Sequence, residues 1–263
     1  MKFRILFITQ DDPFYVKLFF EEFFRNYKDL DEIRGVVIAQ AMGKKSLFAL
    51  ANQMYNFYGP FNFIKVGSKY AIYKLLPIFN GFLNGAIAYN LNQLCKKYKI
   101  KVLKRQNINS EAFLDELKTM NLDLIISVAA PAIFKDRLIQ IPRYGCINIH
   151  NAKLPKYRGM MPNFWQLYHN EKKVGITIHE INPKIDDGKI LLQKEVEVEP
   201  AETLDFLIKR TKRVGAYCMM EAIDMIKSGK IKYIENDAKE ASYFSFPTSK
   251  DVRKFRDMGH RLL

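Results

Sequence analysis

The chain has 263 residues, 48% of them hydrophobic, and a net charge of +14. That apolar content fills a sizeable core and excludes a disordered chain, and the length suits one large domain or one domain with a small appendage. No run of about eighteen apolar residues occurs, so no spanning helix is expected. Cys95, Cys146 and Cys218 lack paired or metal-type spacing, which points to a reduced, cytoplasmic setting.

In chain order, residues 3–9 read as a buried strand. The opening Met-Lys-Phe-Arg resembles the start of a signal peptide. The apolar run after it is short, however, and Asp11-Asp12-Pro13 stand where small cleavage-site residues belong. A helix is expected from Pro13, with Val16, Phe19, Phe20, Phe23 and Phe24 as its apolar stripe. The turn Thr9-Gln10-Asp11-Asp12 lacks G-x-G-x-x-G, so a dinucleotide pyrophosphate finds no glycine cradle here. Residues 33–39 form a second strand. Residues 44–98 stand apart, being rich in aromatics, Leu and Asn and poor in charge. Within them Leu75, Leu76, Phe79, Phe82, Leu83, Ala86, Ile87, Asn90, Leu91 and Leu94 keep mostly to one helical face. This insertion is read as packing on its own core, with contact to a membrane surface or to a partner as the alternative.

Residues 100–103 are a short strand flanked by Lys96, Lys97, Lys99, Lys101, Lys104 and Arg105, which form either a basic patch or the guard of an edge strand. Ser110 is expected to cap a helix running to Met120. A strongly apolar strand follows at 122–128, then a helix at 131–139 and a strand at 146–149. The alternation predicts an α/β, Rossmann-like fold with a mostly parallel sheet and helices on both faces. In such sheets ligands bind beyond the carboxyl ends of the strands, where Asn148 and His150 sit two residues apart on one face. The strand at 175–181 turns Thr177 and His179 away from Ile176 and Ile178. Asp186-Asp187-Gly188 then connects it, hairpin-like, to a strand at 189–198. A helix over 201–227, with Thr203 near its cap and Leu204, Leu207, Ile208, Thr211 and Val214 inward, precedes a short strand at 232–234. The tail ends in a charged helix over 251–260 without a clear core stripe. Residues 1–200 thus read as the catalytic domain and 201–263 as a small helical and extended C-terminal appendage.

The amide of Asn148, the imidazole of His150 and the carboxylate of Asp186 converge on one loop-lined region. This set suits proton transfer. The histidines show no H-E-x-x-H or similar spacing, so no metal is expected.

Four short elements carry a resemblance. They are Ile-Asn-Ile-His at 147–150, Leu-Pro-Lys-Tyr-Arg-Gly-x-x-Pro at 154–162, Gly-Ile-Thr-Ile-His at 175–179 and Asp-x-Gly-x-Ile-Leu at 186–191. In this order and spacing the sequence resembles the folate-dependent formyltransferases. The resemblance implies transfer of a formyl group from 10-formyltetrahydrofolate to a primary amine, with Asn148, His150 and Asp186 as catalytic residues. Alignment on the glycine selects Asp186 over Asp187. It further implies a folate site built largely from backbone, at Ala129, Ala130 and Ile133 and at Ile185 before Asp186. Lys153, Arg158 and His179 are the candidate substrate contacts. Arg158 could equally brace its loop, and Trp165 is read as core.

The chemistry of the residues fits that implication. An amine attacking a formyl carbon passes through a tetrahedral oxyanion, which the Asn148 amide can stabilise while His150 relays protons and Asp186 supports the imidazole. Where the family has a Ser-Leu-Leu type sequence, this chain has Asn151-Ala152-Lys153, which leaves the acceptor to be read. A nucleotide-linked amino sugar leads, because little chain follows Ala201 and the 44–98 insertion is long. Methionyl-tRNA, glycinamide ribonucleotide and a membrane-proximal amine compete. A homodimer and a peripheral membrane position also enter as expectations. The alternative from another class is a non-catalytic, basic module that binds RNA or membranes on the same fold.

Overall fold

The structure is a computed structural model and describes residues 2–12, 14–40, 46–79 and 88–263. Pro13 and the stripe residues Phe82, Leu83, Ala86 and Ile87 lie outside the described residues.

Short β-branched and Leu-rich runs make the strands β1 (Ile5–Thr9), β2 (Ile33–Ala39), β3 (Val102–Arg105), β4 (Leu124–Val128) and β5 (Cys146–His150). They pair in parallel in the order β3-β2-β1-β4-β5. The sheet then changes direction. The strands β7 (Lys173–Glu180) and β8 (Ile190–Glu197) complete it with antiparallel pairings of β5 to β7 and β7 to β8. A two-residue strand, β6 (Arg158–Gly159), instead pairs in parallel with β9 (Tyr243–Phe244), which ties the C-terminal tail to the loop after β5. The lysine-flanked β3 lies at the edge of the sheet, where like charges discourage pairing with another chain.

Two cores sandwich this sheet. On one face, α1 (Val16–Asn26) buries Val16, Phe19, Phe20, Phe23 and Phe24. These pack with α3 (Leu91–Lys97), α7 (Leu204–Ser228) and the strand residues Ile147, Ile149, Ile176 and Ile178. On the other face, α4 (Glu111–Thr119) and the short α5 (Asp136–Ile139) cover Leu6, Ile8, Ile125 and Cys146. A third cluster joins α6 (Pro162–Tyr168) and α8 (Ser249–Asp257) through Phe164, Val252 and Phe255.

Several local expectations are corrected. The helix of the insertion is α2 (Leu47–Phe79), bent at Gly59, whose φ is 72° and ψ 170°. Asn90 is not on a continuous helix through Leu94. Its side chain accepts from Gln93 N at 2.9 Å and so starts α3. Ser110 precedes α4, but its hydroxyl donates to Asn107 O rather than accepting a capping bond. The helix expected over 131–139 shrinks to α5. The strand at 232–234 is reduced to a single bridge between Ile190 and Ile234. The final helix does have a core stripe, Val252 and Phe255, and begins with a Thr248–Asp251 capping box. On α7 the expected Leu204, Leu207 and Thr211 are buried, and the buried face continues into the main core through Ala216, Cys218, Met219, Ala222 and Ile223. Trp165 is buried and donates Nε1–H to Ser245 O at 3.0 Å.

Candidate active site

Side-chain alternation decides where the polar residues of β5 and β7 go. Ile147, Ile149, Ile176 and Ile178 are committed to the core that holds α1 and α7. Asn148, His150, Thr177 and His179 must therefore project from the opposite face. The antiparallel register sets Asn148 beside His179 and His150 beside Thr177. The return loop at 181–189 folds over this part of the face and delivers Asp186.

The resulting cluster is tight. The Oδ2 of Asp186 lies 3.4 Å from His150 Nδ1, and its Oδ1 lies 3.5 Å from His179 Nε2. The same carboxylate accepts the Gly159 N–H at 2.9 Å. His150 Nε2–H donates to Tyr157 O at 2.8 Å, which fixes the tautomer and leaves Nδ1 facing the carboxylate. His179 Nδ1–H donates to Glu180 O at 2.7 Å, so its Nε2 accepts from Asn148 Nδ2 at 3.1 Å. One amide hydrogen of Asn148 is thereby occupied and the other is left for a ligand.

The electrostatics follow from burial and charge together. Burial lowers the pKa of His150 below its ordinary 6.5, and the Asp186 charge offsets this only in part. Its imidazole is thus a neutral base near pH 7. Burial alone would raise the Asp186 carboxyl. The neighbouring His150 and His179 and the Gly159 N–H outweigh it and hold that carboxyl well below the usual carboxylate range. A neutral imidazole beside a fixed carboxylate can take up a proton at Nδ1 and have the resulting cation stabilised in place.

The loops around the cluster are built by close approaches that require particular residues. A Cβ on Gly188 would lie 1.9 Å from Glu180 O, and one on Gly175 would lie 2.1 Å from Lys153 N. Only glycine fits either position. Asp186 adopts a left-handed φ of 51°, and Asn236 holds it there by donating to the carbonyls of Asp186 and Gly188 at 3.0 and 2.9 Å. Asp187 turns the other way and pairs with Arg158, whose Nη2 also donates to Asn236 Oδ1 at 2.8 Å. Arg158 is buried and braces this loop.

The sequence-expected residues divide into two groups. Asn148, His150, His179 and Asp186 come together. Lys153 does not join them. It is exposed and pairs with Glu195 of β8 at 2.5 Å, while Ala152 is fully buried. Ala129 and Ala130 leave β4, the strand beside β5, as a half-buried turn with Ala129 at a left-handed φ of 52°. Ile133 and Ile185 present exposed apolar side chains, 60% and 46% accessible. Among the described residues no group of three or more His, Cys, Asp or Glu side chains could hold a metal ion. Sequence reasoning missed the Tyr157 carbonyl, the Gly159 N–H and Asn236. The first two are backbone groups, and Asn236 lies in a polar stretch without periodicity.

The chain is similar to known proteins in sequence and in fold. A methionyl-tRNA formyltransferase of Thermotoga maritima is 33% identical over 159 residues, 60% of this chain and 51% of that protein. One from Lachnospira eligens is 35% identical over 144 residues, 55% of this chain and 46% of that protein. The chain spans about half the length of the curated relatives it matches. An N-formyltransferase structure from Helicobacter canadensis superposes with a TM-score of 0.59 at 17% identity, covering 96% of this chain and 79% of that one, which establishes a shared fold. The family profile described as formyl transferase matches residues 80–223, more than half of the sequence and including β5, β7 and the loop that carries Asp186, so the chain belongs to the formyl transferase family.

Proposed function

We propose that this protein is an N-formyltransferase that moves a formyl group from 10-formyltetrahydrofolate to the primary amine of a nucleotide-linked amino sugar. The observation that carries the reaction type is Asp186 held between the two imidazoles, with Asn148 hydrogen-bonded into the same cluster. When bound, the folate supplies a formyl carbon activated on a nitrogen that leaves easily. The chain supplies the rest. The second N–H of Asn148 stabilises the oxyanion formed as the amine adds to that carbon. His150 accepts the amine's proton at Nδ1, Asp186 stabilises the imidazolium, and the same proton passes to the departing nitrogen. The bond formed is amine N–C, the bond broken is folate N–C, and one proton crosses between the two nitrogens. Ala129, Ala130, Ile133 and Ile185 would hold the folate.

The acceptor class is supported by the breadth of the structural likeness. The Helicobacter canadensis enzyme is described in complex with folinic acid and dTDP-3-aminofucose, and its likeness spans 96% of this chain. A second reading, formylation of methionyl-tRNA, is favoured by the sequence relatives at 33% and 35% identity. The test is to mix the full chain with 10-formyltetrahydrofolate and a panel of nucleotide amino sugars, methionyl-tRNA and glycinamide ribonucleotide. Tetrahydrofolate release and product mass are then followed. Release with an amino sugar is expected. Release with methionyl-tRNA alone selects the second reading, and silence with every amine refutes the enzyme.

A further inference from the structure

The helix α2 has an unusual polarity. Beyond the bend at Gly59 its inner side turns Tyr70 and Tyr73 towards Phe14 of the main body, with ring centroids 6.3 and 5.7 Å apart. Phe63 folds back on Tyr55 at 5.7 Å. Before the bend, Phe57 is buried against Phe164 and Phe246, and Arg256 donates to Tyr58 O at 2.7 Å. The helix is thus seated on the protein at both ends of this stretch. Its outer side should then be polar. It is not. Phe61, Ile64, Ile72 and Leu75, at i, i+3, i+11 and i+14, share that outer side and are 88%, 69%, 52% and 54% accessible. Lys65 and Lys69 border the same face and are exposed.

The charge of the surrounding sequence is equally one-sided. Residues 33–110 contain twelve Lys or Arg and no Asp or Glu, so nearly the whole excess of +14 sits in this stretch. An exposed apolar stripe bordered by lysines, with no carboxylate on the helix, fits a surface that offers both hydrocarbon and negative charge. A second copy of the chain fits poorly, because its matching face would bring lysines against lysines. Among the described residues no helix is long and apolar enough to cross a membrane, so contact is from the side.

We propose that the outer face of α2, from Phe61 to Leu75, lies in the headgroup layer of an anionic lipid bilayer. Phe61, Ile64, Ile72 and Leu75 insert, while Lys65 and Lys69 reach the lipid phosphates with their stems along the apolar stripe. The folate-facing cluster is built on other elements, so binding to the bilayer is independent of formyl transfer.

The test is flotation of the full chain with phosphatidylcholine vesicles, with and without phosphatidylglycerol, across a salt series. Binding is expected only with phosphatidylglycerol and is expected to weaken with salt. The F61S/I72S variant should lose it. K65E/K69E should bind at least roughly thirtyfold more weakly, since each lysine near an anionic surface contributes about fivefold. All four positions are exposed, so both variants should melt with the wild type. Failure of the wild type to float with either vesicle overturns the proposal, as does unchanged binding of both variants. Sedimentation that shows a dimer broken by F61S/I72S assigns the face to a second copy instead. Amine formylation measured in the same preparations without lipid separates failure here from failure of the enzymatic reading.

Discussion

Replacing Asp186 by Asn removes one charge from between two imidazoles and leaves the shape of the side chain almost unchanged. The carboxylate oxygen lies 3.4 Å from His150 Nδ1, and the side chain is 12% accessible. When that nitrogen takes up a proton, the pair interacts by about 5 kcal/mol at an effective dielectric of about 20. Loss of a contribution of that size predicts a fall in kcat of roughly 10²–10⁴, the usual range for disabling general acid–base catalysis. The acid limb of the rate profile should move in a defined direction. Burial lowers the His150 pKa and Asp186 raises it, so D186N should shift the limb to lower pH. Stability should change as well. The Asp186 pKa is depressed in the folded state, so its contribution is fully present above the unfolded value near 4 and is lost as pH falls through the folded one. The melting temperature of D186N should therefore lie below that of the wild type at pH 7, and the gap should close in acid. The assay is tetrahydrofolate release from pH 5 to 8 with parallel thermal melts. A D186N rate within tenfold of wild type would refute the assignment, as would an equal rate loss in D187N.

Three further outcomes check other parts of the argument. N148A should lower kcat by roughly 10²–10³ with a smaller change in KM, because its second N–H acts on the oxyanion; a pure KM effect would move Asn148 to acceptor binding. His150 has a folded pKa below its unfolded one, so its contribution to stability is full above about pH 6.5 and declines as pH drops below it. H150Q should flatten that part of the stability profile, which urea midpoints from pH 7 to 5 would reveal. Phe57 is 3% accessible, and F57A should cost about 3–5 kcal/mol. A cost under about 1 kcal/mol would mean that the start of α2 is not anchored.

Much of this was legible in the sequence because it rests on periodicity. The stripe from Val16 to Phe24 is buried in full, and the strand at 33–39 has the extent that its β-branched run implies. The i, i+2 spacing of Asn148 and His150 sufficed to put them on one face. What stayed hidden rests on partners far away in sequence. The sequence offers His179 only as a candidate substrate contact, and it takes the β5–β7 register to set it opposite Asn148. Arg158 could reach a substrate or brace a loop, and only the fold of residues 181–189 brings Asp187 and Asn236 to it. Ala152 and Lys153 looked like the place to read the acceptor, yet Ala152 is sealed under Gly175 and Lys153 points to Glu195. The helix through Leu47–Phe79 escaped notice because its apolar side chains lie on both faces.

The change of strand direction explains why the cluster forms where it does. A strand parallel to β7 and following it in the chain would need a crossover of a dozen or more residues, usually a helix packed on one face of the sheet. A helix on the α4 side would cover Asn148 and His150. Because β8 runs antiparallel to β7, the connection between them spans only residues 181–189 and lies against the sheet as a loop, thin enough to set a carboxylate between two imidazoles. The same geometry explains the two glycines. A loop pressed this closely onto a strand leaves no room for a Cβ at Gly188, and the loop after β5 leaves none at Gly175. The motif residues that identify the family are therefore of two kinds. Some carry the polar side chains of the cluster, and the glycines let the backbone come near enough to bring those side chains together.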